Sequence, residues 1–173
     1  MVIAHYLKRE YETIFVHWFG NATMPFKRVF INSGHYWVTC GALIGYFFMH
    51  PKYTEPAYLS QSIRYLLIAL FFIFEFLNFK AHCVLWDLWK PGTNERGIPK
   101  GWGFGLASSV NYFYETMAWL TFAILSGCLT SYLFLGFSFY QMTVWAKDKR
   151  KRYREEFKDK FPKNIKAFIP SLF

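Results

Sequence analysis

The sequence predicts an all-α integral membrane helical bundle of about four to five membrane helices, with a basic loop and a basic tail on the cytosolic side. Three observations predict it. Of 173 residues, 54% are hydrophobic and 23% aromatic, more apolar surface than a soluble domain of this length buries. That surface is clumped, since residues 35–50, 65–79 and 117–142 are nearly free of charge, which is the punctuation of membrane spans. Finally, residues 147–166 hold ten Lys/Arg against four Asp/Glu, so six of the net +9 charges sit in one tail. By the positive-inside rule that tail faces the cytosol.

The elements follow in order. Residues 5–19 read as the polar-ended half of a helix that stops at Gly20-Asn21, and with no apolar span ahead of it the chain is expected to begin mid-architecture. The apolar segment 35–49 is closed by Pro51, and a second runs helically from about residue 63 to about residue 89, where Pro91-Gly92 ends it. The loop to Trp102 carries Lys90, Arg96 and Lys100 with the turn formers Gly97 and Pro99. Residues 106–146 are long enough for two helices of about 20 residues each, with the hinge expected between Ser126-Gly127 and Ser131.

Several function classes lose support at this level. The basic tail follows an apolar helix and opens at Trp145, so membrane lipid headgroups rather than nucleic acid are its expected anionic neighbours. Cys40, Cys83 and Cys128 are scattered and form no C-x-x-C, which implies neither a disulfide framework nor a zinc site. No cleavable signal peptide is expected, because Met1 leads almost at once into Lys8-Arg9-Glu10. There is no P-loop, nucleophile elbow or G-x-G-x-x-G.

Three polar stripes interrupt the apolar sequence. On a 3.6-residue helix Asn111, Tyr112 and Glu115 fall within about 100° of one another while Tyr114 points nearly the opposite way. Glu75, Asn78 and His82 form a second stripe at i, i+3 and i+7. His5, Lys8, Arg9 and Glu12 form a third, followed by His17. Each has a plainer reading, as an interfacial tyrosine belt, as satisfied packing residues, or as a solvated and intrahelically paired face. Placed in a bilayer, however, acidic residues are costly, at about 2.5 to 3.5 kcal/mol each near mid-membrane. Stripes facing one another would form a polar cavity, suited to a large anionic cosubstrate at the cytosolic face and an apolar substrate in the bilayer.

The blocks H-Y-L-K-R-E-Y-E-T-I-F-V-H (5–17), N-A-T-M-P (21–25), N-F-K-A-H (78–82), K-P-G (90–92), I-P (98–99), N-Y-F-Y-E (111–115), Q-M-T-V-W-A-K (141–147) and the tail with Y-R-E-E-F, F-P and I-P together resemble the steroid 5α-reductase-like membrane family. The likeness is closest to its very-long-chain enoyl-CoA reductase branch and spans essentially the whole chain. It implies an endoplasmic-reticulum enzyme that uses NADPH to reduce the 2,3 double bond of a trans-2-enoyl-CoA, the last step of very-long-chain fatty acid elongation, beside other elongation enzymes. A steroid or polyprenol reductase and a non-catalytic subunit of the elongation complex are the alternatives. By the same resemblance Tyr112 is the catalytic tyrosine and Lys8 a required lysine. Asn78, His82, Arg96, Asn111, Glu115 and Tyr153 are expected at the cofactor, and Glu12 and Glu75 in the cavity. Tyr112 favours acyl-CoA over steroid. The resemblance also implies that further N-terminal helices and a ubiquitin-like domain precede this region in relatives, so the chain is expected to be one membrane domain, the C-terminal catalytic region. It departs from the family pattern at Trp86 and Trp89, where arginines are usual, and at Ile165.

Overall fold

A computed structural model describes residues 1–16, 25–88, 97–162 and 164–170. Among these residues the chain forms five helical rods and no strand. α1 spans Val2–Phe15. The second rod is continuous, formed by α2 (Phe26–Ser33), a π-helical stretch (Gly34–Ile44) and α3 (Gly45–Met49). Then come α4 (Gln61–Asp87), α5 (Val110–Ser126) and α6 (Leu129–Phe157). His17, Trp89 and Arg96 lie outside the described residues.

α4 is the described helix long and apolar enough to cross a membrane, and only 22% of its most apolar window is buried. At 1.5 Å per residue, 27 residues reach about 40 Å, more than a hydrocarbon core. An apolar helix that turns most of its surface outward is not the core of a soluble protein. The chain is an all-helical membrane protein. The start of α4 follows from its sequence: Ser60 caps it by accepting from the Ile63 amide, and Arg64 ties the preceding loop by donating to the carbonyls of Pro56 and Leu59 and pairing with Glu55.

The expected hinge after residue 126 is present. α5 ends at Ser126 and α6 begins at Leu129, with Gly127 in the left-handed region at φ 61° and its missing side chain filled by the Pro56 ring. A glycine there is the usual way to end a helix sharply. The two helices share the span unequally, with 17 residues in α5 and 29 in α6. The reason is that α6 continues through its basic sequence, whose long side chains are good helix formers and leave no breaker until Phe157.

The core lies where the π-helical stretch, α4, α5 and α6 meet, around Cys40, Ile44, Phe71, Trp119, Phe122 and Phe134. Phe71 packs at the Ala118–Phe122 end of α5, and Ala81 packs at Val110, so α4 and α5 run antiparallel. After α6 the chain turns back. A short parallel bridge joins Ala107 to Lys166, with the Ser108 amide donating to the Lys166 carbonyl at 2.8 Å and the Ser109 amide to Ala167 at 3.1 Å. The tail is thereby docked against the start of α5.

The loop ahead of α5 depends on Gly103, at φ 90°. A Cβ there would sit 2.6 Å from the Tyr114 hydroxyl and 2.8 Å from Val110. Gly103→Ala is therefore expected to destabilise the fold by more than about 1 kcal/mol, read as a lower thermal unfolding midpoint in detergent. Gly105→Ala, with nothing within 4 Å of the added carbon, is the control.

Candidate active site

The three stripes converge. α1 and α4 run side by side in the same direction, with a constant offset of 70 residues between partners. His5 Nδ1 lies 2.8 Å from Glu75 Oε1, Lys8 Nζ donates to Asn78 Oδ1 at 2.5 Å, and His82 Nδ1 lies 3.0 Å from Glu12 Oε2. The outer rungs are reciprocal, since α1 offers His then Glu two turns on, and α4 offers Glu then His. Lys8 stands between the two carboxylates, 2.6 Å from Glu75 Oε2 and 3.8 Å from Glu12 Oε1. Arg9 adds a second cation to Glu12 at 2.7 Å.

The carboxylates, imidazoles and amide of this ladder are buried, Glu12 at 0% and Asn78 at 1% exposure, while Lys8 and Arg9 are half-buried. Their burial is tolerable only because each charge meets an opposite one. Glu12 shows the balance. α1 carries Lys8, Arg9, Glu10 and Glu12 and is too charged to be a span, and burial there opposes ionisation of the carboxyl. The nearby His82, Lys8 and Arg9 outweigh that and hold its pKa down to about 2.

α5 closes the ladder on its third side. Asn78 Nδ2 donates to the Asn111 carbonyl at 2.8 Å, Asn111 Nδ2 reaches His82 Nε2 at 3.4 Å, and Glu115 Oε1 lies 3.4 Å from His5 Nε2. Each imidazole is thus held by a carboxylate at Nδ1 and presents Nε2 to α5. Asn111 and Glu115, one helical turn apart, receive them.

In front of this ladder is a cavity of about 530 Å³. His5, Arg9, Asn78, His82 and Glu115 line one side, and Tyr36, Trp119, Phe134, Phe137, Met142 and Trp145 give it an apolar, largely aromatic wall. Tyr112 belongs to the lining, its ring 6.2 Å from that of Trp145. Tyr114 turns away, its hydroxyl donating to the Trp102 carbonyl at 3.3 Å.

The structure therefore brings Asn78, His82, Tyr112 and Glu115 to the cavity. It sets Lys8, Glu12 and Glu75 behind them, with Asn111 against His82. Tyr153 is elsewhere: it is buried with Phe157, Phe161 and Ile165 where the tail folds back. Residues the sequence reasoning did not select as site residues include His5, Arg9 and His35. His5 and Arg9 were visible in the third stripe. His35 Nε2 lies 2.9 Å from Ser138 Oγ and its ring stacks on Phe134 at 4.6 Å, but a single histidine at the edge of an apolar run carries no periodic signal.

A second concavity, of about 590 Å³, lies between α6 and the returning tail. Lys147, Arg150, Lys151, Arg154 and Lys166 line it, and Arg150 also donates to the Ile165 carbonyl at 2.8 Å. No group of three or more metal-ligating side chains occurs among the described residues.

The family model described as 3-oxo-5-alpha-steroid 4-dehydrogenase matches residues 22–173. Among curated proteins the chain is 45% identical over 168 residues to a very-long-chain enoyl-CoA reductase of Dictyostelium discoideum, covering 97% of this chain and 55% of that protein. It is 41% identical over 172 residues to a Caenorhabditis elegans protein described as a probable very-long-chain enoyl-CoA reductase, with 96% and 55% covered. To a mouse protein described as trans-2,3-enoyl-CoA reductase-like it is 30% identical over 174 residues, with 97% and 47% covered. The chain thus spans about half the length of the curated relatives it matches. With the family model accounting for all but its first 21 residues, this chain belongs to the 3-oxo-5-alpha-steroid 4-dehydrogenase family.

Proposed function

We propose that the chain carries the reducing cavity of an NADPH-dependent enoyl-CoA reductase, which converts a trans-2-enoyl-CoA to the saturated acyl-CoA at the end of very-long-chain fatty acid elongation. The observation that carries this reading is Tyr112, which with Tyr6, Tyr36 and Tyr140 is one of four tyrosines lining the cavity, and which shares it with the polar groups Asn78, His82 and Glu115 and with an aromatic wall. An acyl chain suits the aromatic wall, and the polar side suits a cofactor's nicotinamide end.

The chain's own side chains fit a reduced dinucleotide. Asn111 Oδ1, buried behind the cavity lining, has no hydrogen-bond partner among the described residues, and the polar groups of the lining itself suit a carboxamide. Those groups are Asn78, His82 and Glu115. The basic concavity on α6 supplies fixed cations for phosphate groups of the nucleotide or of coenzyme A. Arg96, with Lys100, is assigned to phosphate groups as a fixed cation of the basic loop, and Tyr153 is assigned to the cofactor on the family resemblance alone.

When bound, NADPH supplies the hydride for C3 of the substrate. The chain supplies the proton that C2 requires, and the phenolic O–H of Tyr112 is the donor in this reading. A tyrosine's ordinary pKa of about 10 keeps it protonated at neutral pH. Lys8 acts through others: its ammonium is committed to Glu75 and Asn78, so it fixes the Asn78 amide and, through it, the start of α5. The location is read as the endoplasmic-reticulum membrane with the basic tail in the cytosol, supported by the ten Lys/Arg of residues 147–166, and other elongation enzymes are its proposed neighbours.

The test is NADPH consumption by the purified, detergent-solubilised chain given a long trans-2-enoyl-CoA. The expected result is oxidation that requires the enoyl-CoA and yields the saturated thioester. Absence of turnover with NADPH still bound would overturn the enzyme reading in favour of a non-catalytic subunit of the elongation machinery, a role that Trp86 in place of the family's usual arginine favours.

A further inference from the structure

His5 has no role in the reaction described above, yet it is the most enclosed side chain of the cavity's polar side after Asn78, at 2% exposure. Its ring joins three helices. Nδ1 meets Glu75 of α4 at 2.8 Å, Nε2 meets Glu115 of α5 at 3.4 Å, and the ring edge packs on Trp119 with centroids 4.8 Å apart. Trp119 Nε1 donates to the same oxygen of Glu115, Oε1, at 3.2 Å.

Oε1 therefore accepts from Trp119 Nε1 and lies within ion-pair distance of His5 Nε2, a contact that attracts when the imidazole is protonated. Oε2 is left without a hydrogen bond among the described residues, on a side chain that lines the cavity. A glutamate has three side-chain torsions, and an unrestrained one would be free to swing. Fixing one carboxylate oxygen from two directions holds the other at one place, where it accepts a hydrogen bond from a ligand amide or hydroxyl. Glu75 in turn holds the imidazole, and its second oxygen is engaged by Lys8 at 2.6 Å.

We propose that His5 is a positioning residue for Glu115: backed by Glu75, it holds the Glu115 carboxylate so that Oε2 faces the cavity as an acceptor for the cofactor's amide or hydroxyl groups. This rests on the cofactor reading above and adds to it a residue, its direction of action and the atom it presents.

The experiment is a double-mutant cycle on NADPH binding, followed by the cofactor's fluorescence with the full chain in detergent. His5→Gln keeps a donor but cannot span both carboxylates. Alone it is expected to weaken NADPH binding about tenfold, as loss of one charge-assisted contact does. In a Glu115→Gln background the same change is expected to have no further effect, because what it positions has already lost its charge. Additive losses, or no loss from His5→Gln alone, would overturn the proposal in favour of a purely structural histidine.

A second readout needs no cofactor. In protein labelled with ¹⁵N-histidine, the His5 ring signals are expected to move in Glu115→Gln and to stay in place in Glu155→Gln, which alters an exposed pair on α6. Unmoved signals in Glu115→Gln refute the contact itself. Moved signals in a chain that binds no NADPH retain the contact and refute the cofactor reading.

Discussion

Tyr112→Phe is expected to lower enoyl-CoA-dependent NADPH oxidation by about 10²- to 10⁴-fold, the range for losing a general acid, with little change in thermal unfolding. Tyr114→Phe is expected to leave turnover within about twofold, as for a substitution away from the reacting groups. The two residues are two positions apart, and an α-helix turns them about 200° from each other. The structure shows the consequence: Tyr112 lines the cavity, and Tyr114 bonds to the loop at Trp102. Phenylalanine keeps the packing of Tyr112 against Met142, Ala146 and Phe168, so only the hydroxyl is removed. Steady-state kinetics of both variants decide the matter. Equal effects would sink the assignment of the donor to this face of α5, and a large loss confined to Tyr114→Phe would move it to the other.

The face of α5 was readable from spacing alone because a helix converts sequence interval into direction with little ambiguity. The same holds for the ladder. His5, Lys8 and Glu12 share the intervals of Glu75, Asn78 and His82, with histidine and glutamate exchanged. That reciprocity is what two parallel helices in register require, and it was on the page as two stripes. Which stripes would meet was not, because periodicity gives the direction of a side chain on its own helix and says nothing of the partner's orientation.

The tail was the harder part. Its basic residues read as a surface for anionic neighbours, but Tyr153, Phe161 and Ile165 form a small core of their own, and residues 166 and 167 pair with the backbone ahead of α5. A contact made through backbone atoms between residues some 60 positions apart leaves no side-chain pattern. The length of α6 was missed for a related reason: the change from apolar to basic sequence at Lys147 marks where the environment changes, whereas the helix itself continues to Phe157.

Glu75→Ala is the substitution expected to harm stability most, by about 3–5 kcal/mol, the range for removing one partner of a buried ion pair. The carboxylate meets His5 at 2.8 Å and Lys8 at 2.6 Å. Its loss leaves the Lys8 ammonium with the Asn78 amide oxygen and, as its remaining carboxylate among the described residues, Glu12 at 3.8 Å, and leaves His5 without its α4 partner. The uncompensated charge, more than the missing attraction, sets the size of the effect. The control is Glu155→Ala on α6. There the pair with Lys151 is 3.9 Å apart with both side chains more than half exposed, and a change below about 0.5 kcal/mol is expected. Unfolding followed by tryptophan fluorescence in one detergent compares the two. The combination Lys8→Met with Glu75→Leu separates the causes, since it removes both charges and keeps most of the volume. It is expected to recover at least half of the loss, as apolar replacement of a buried pair does elsewhere. A cost for Glu75→Ala no larger than that of Glu155→Ala would mean that α1 is not held by its ladder. A full loss persisting in the double variant would mean that the helices are held by the shape of these side chains and not by their charge.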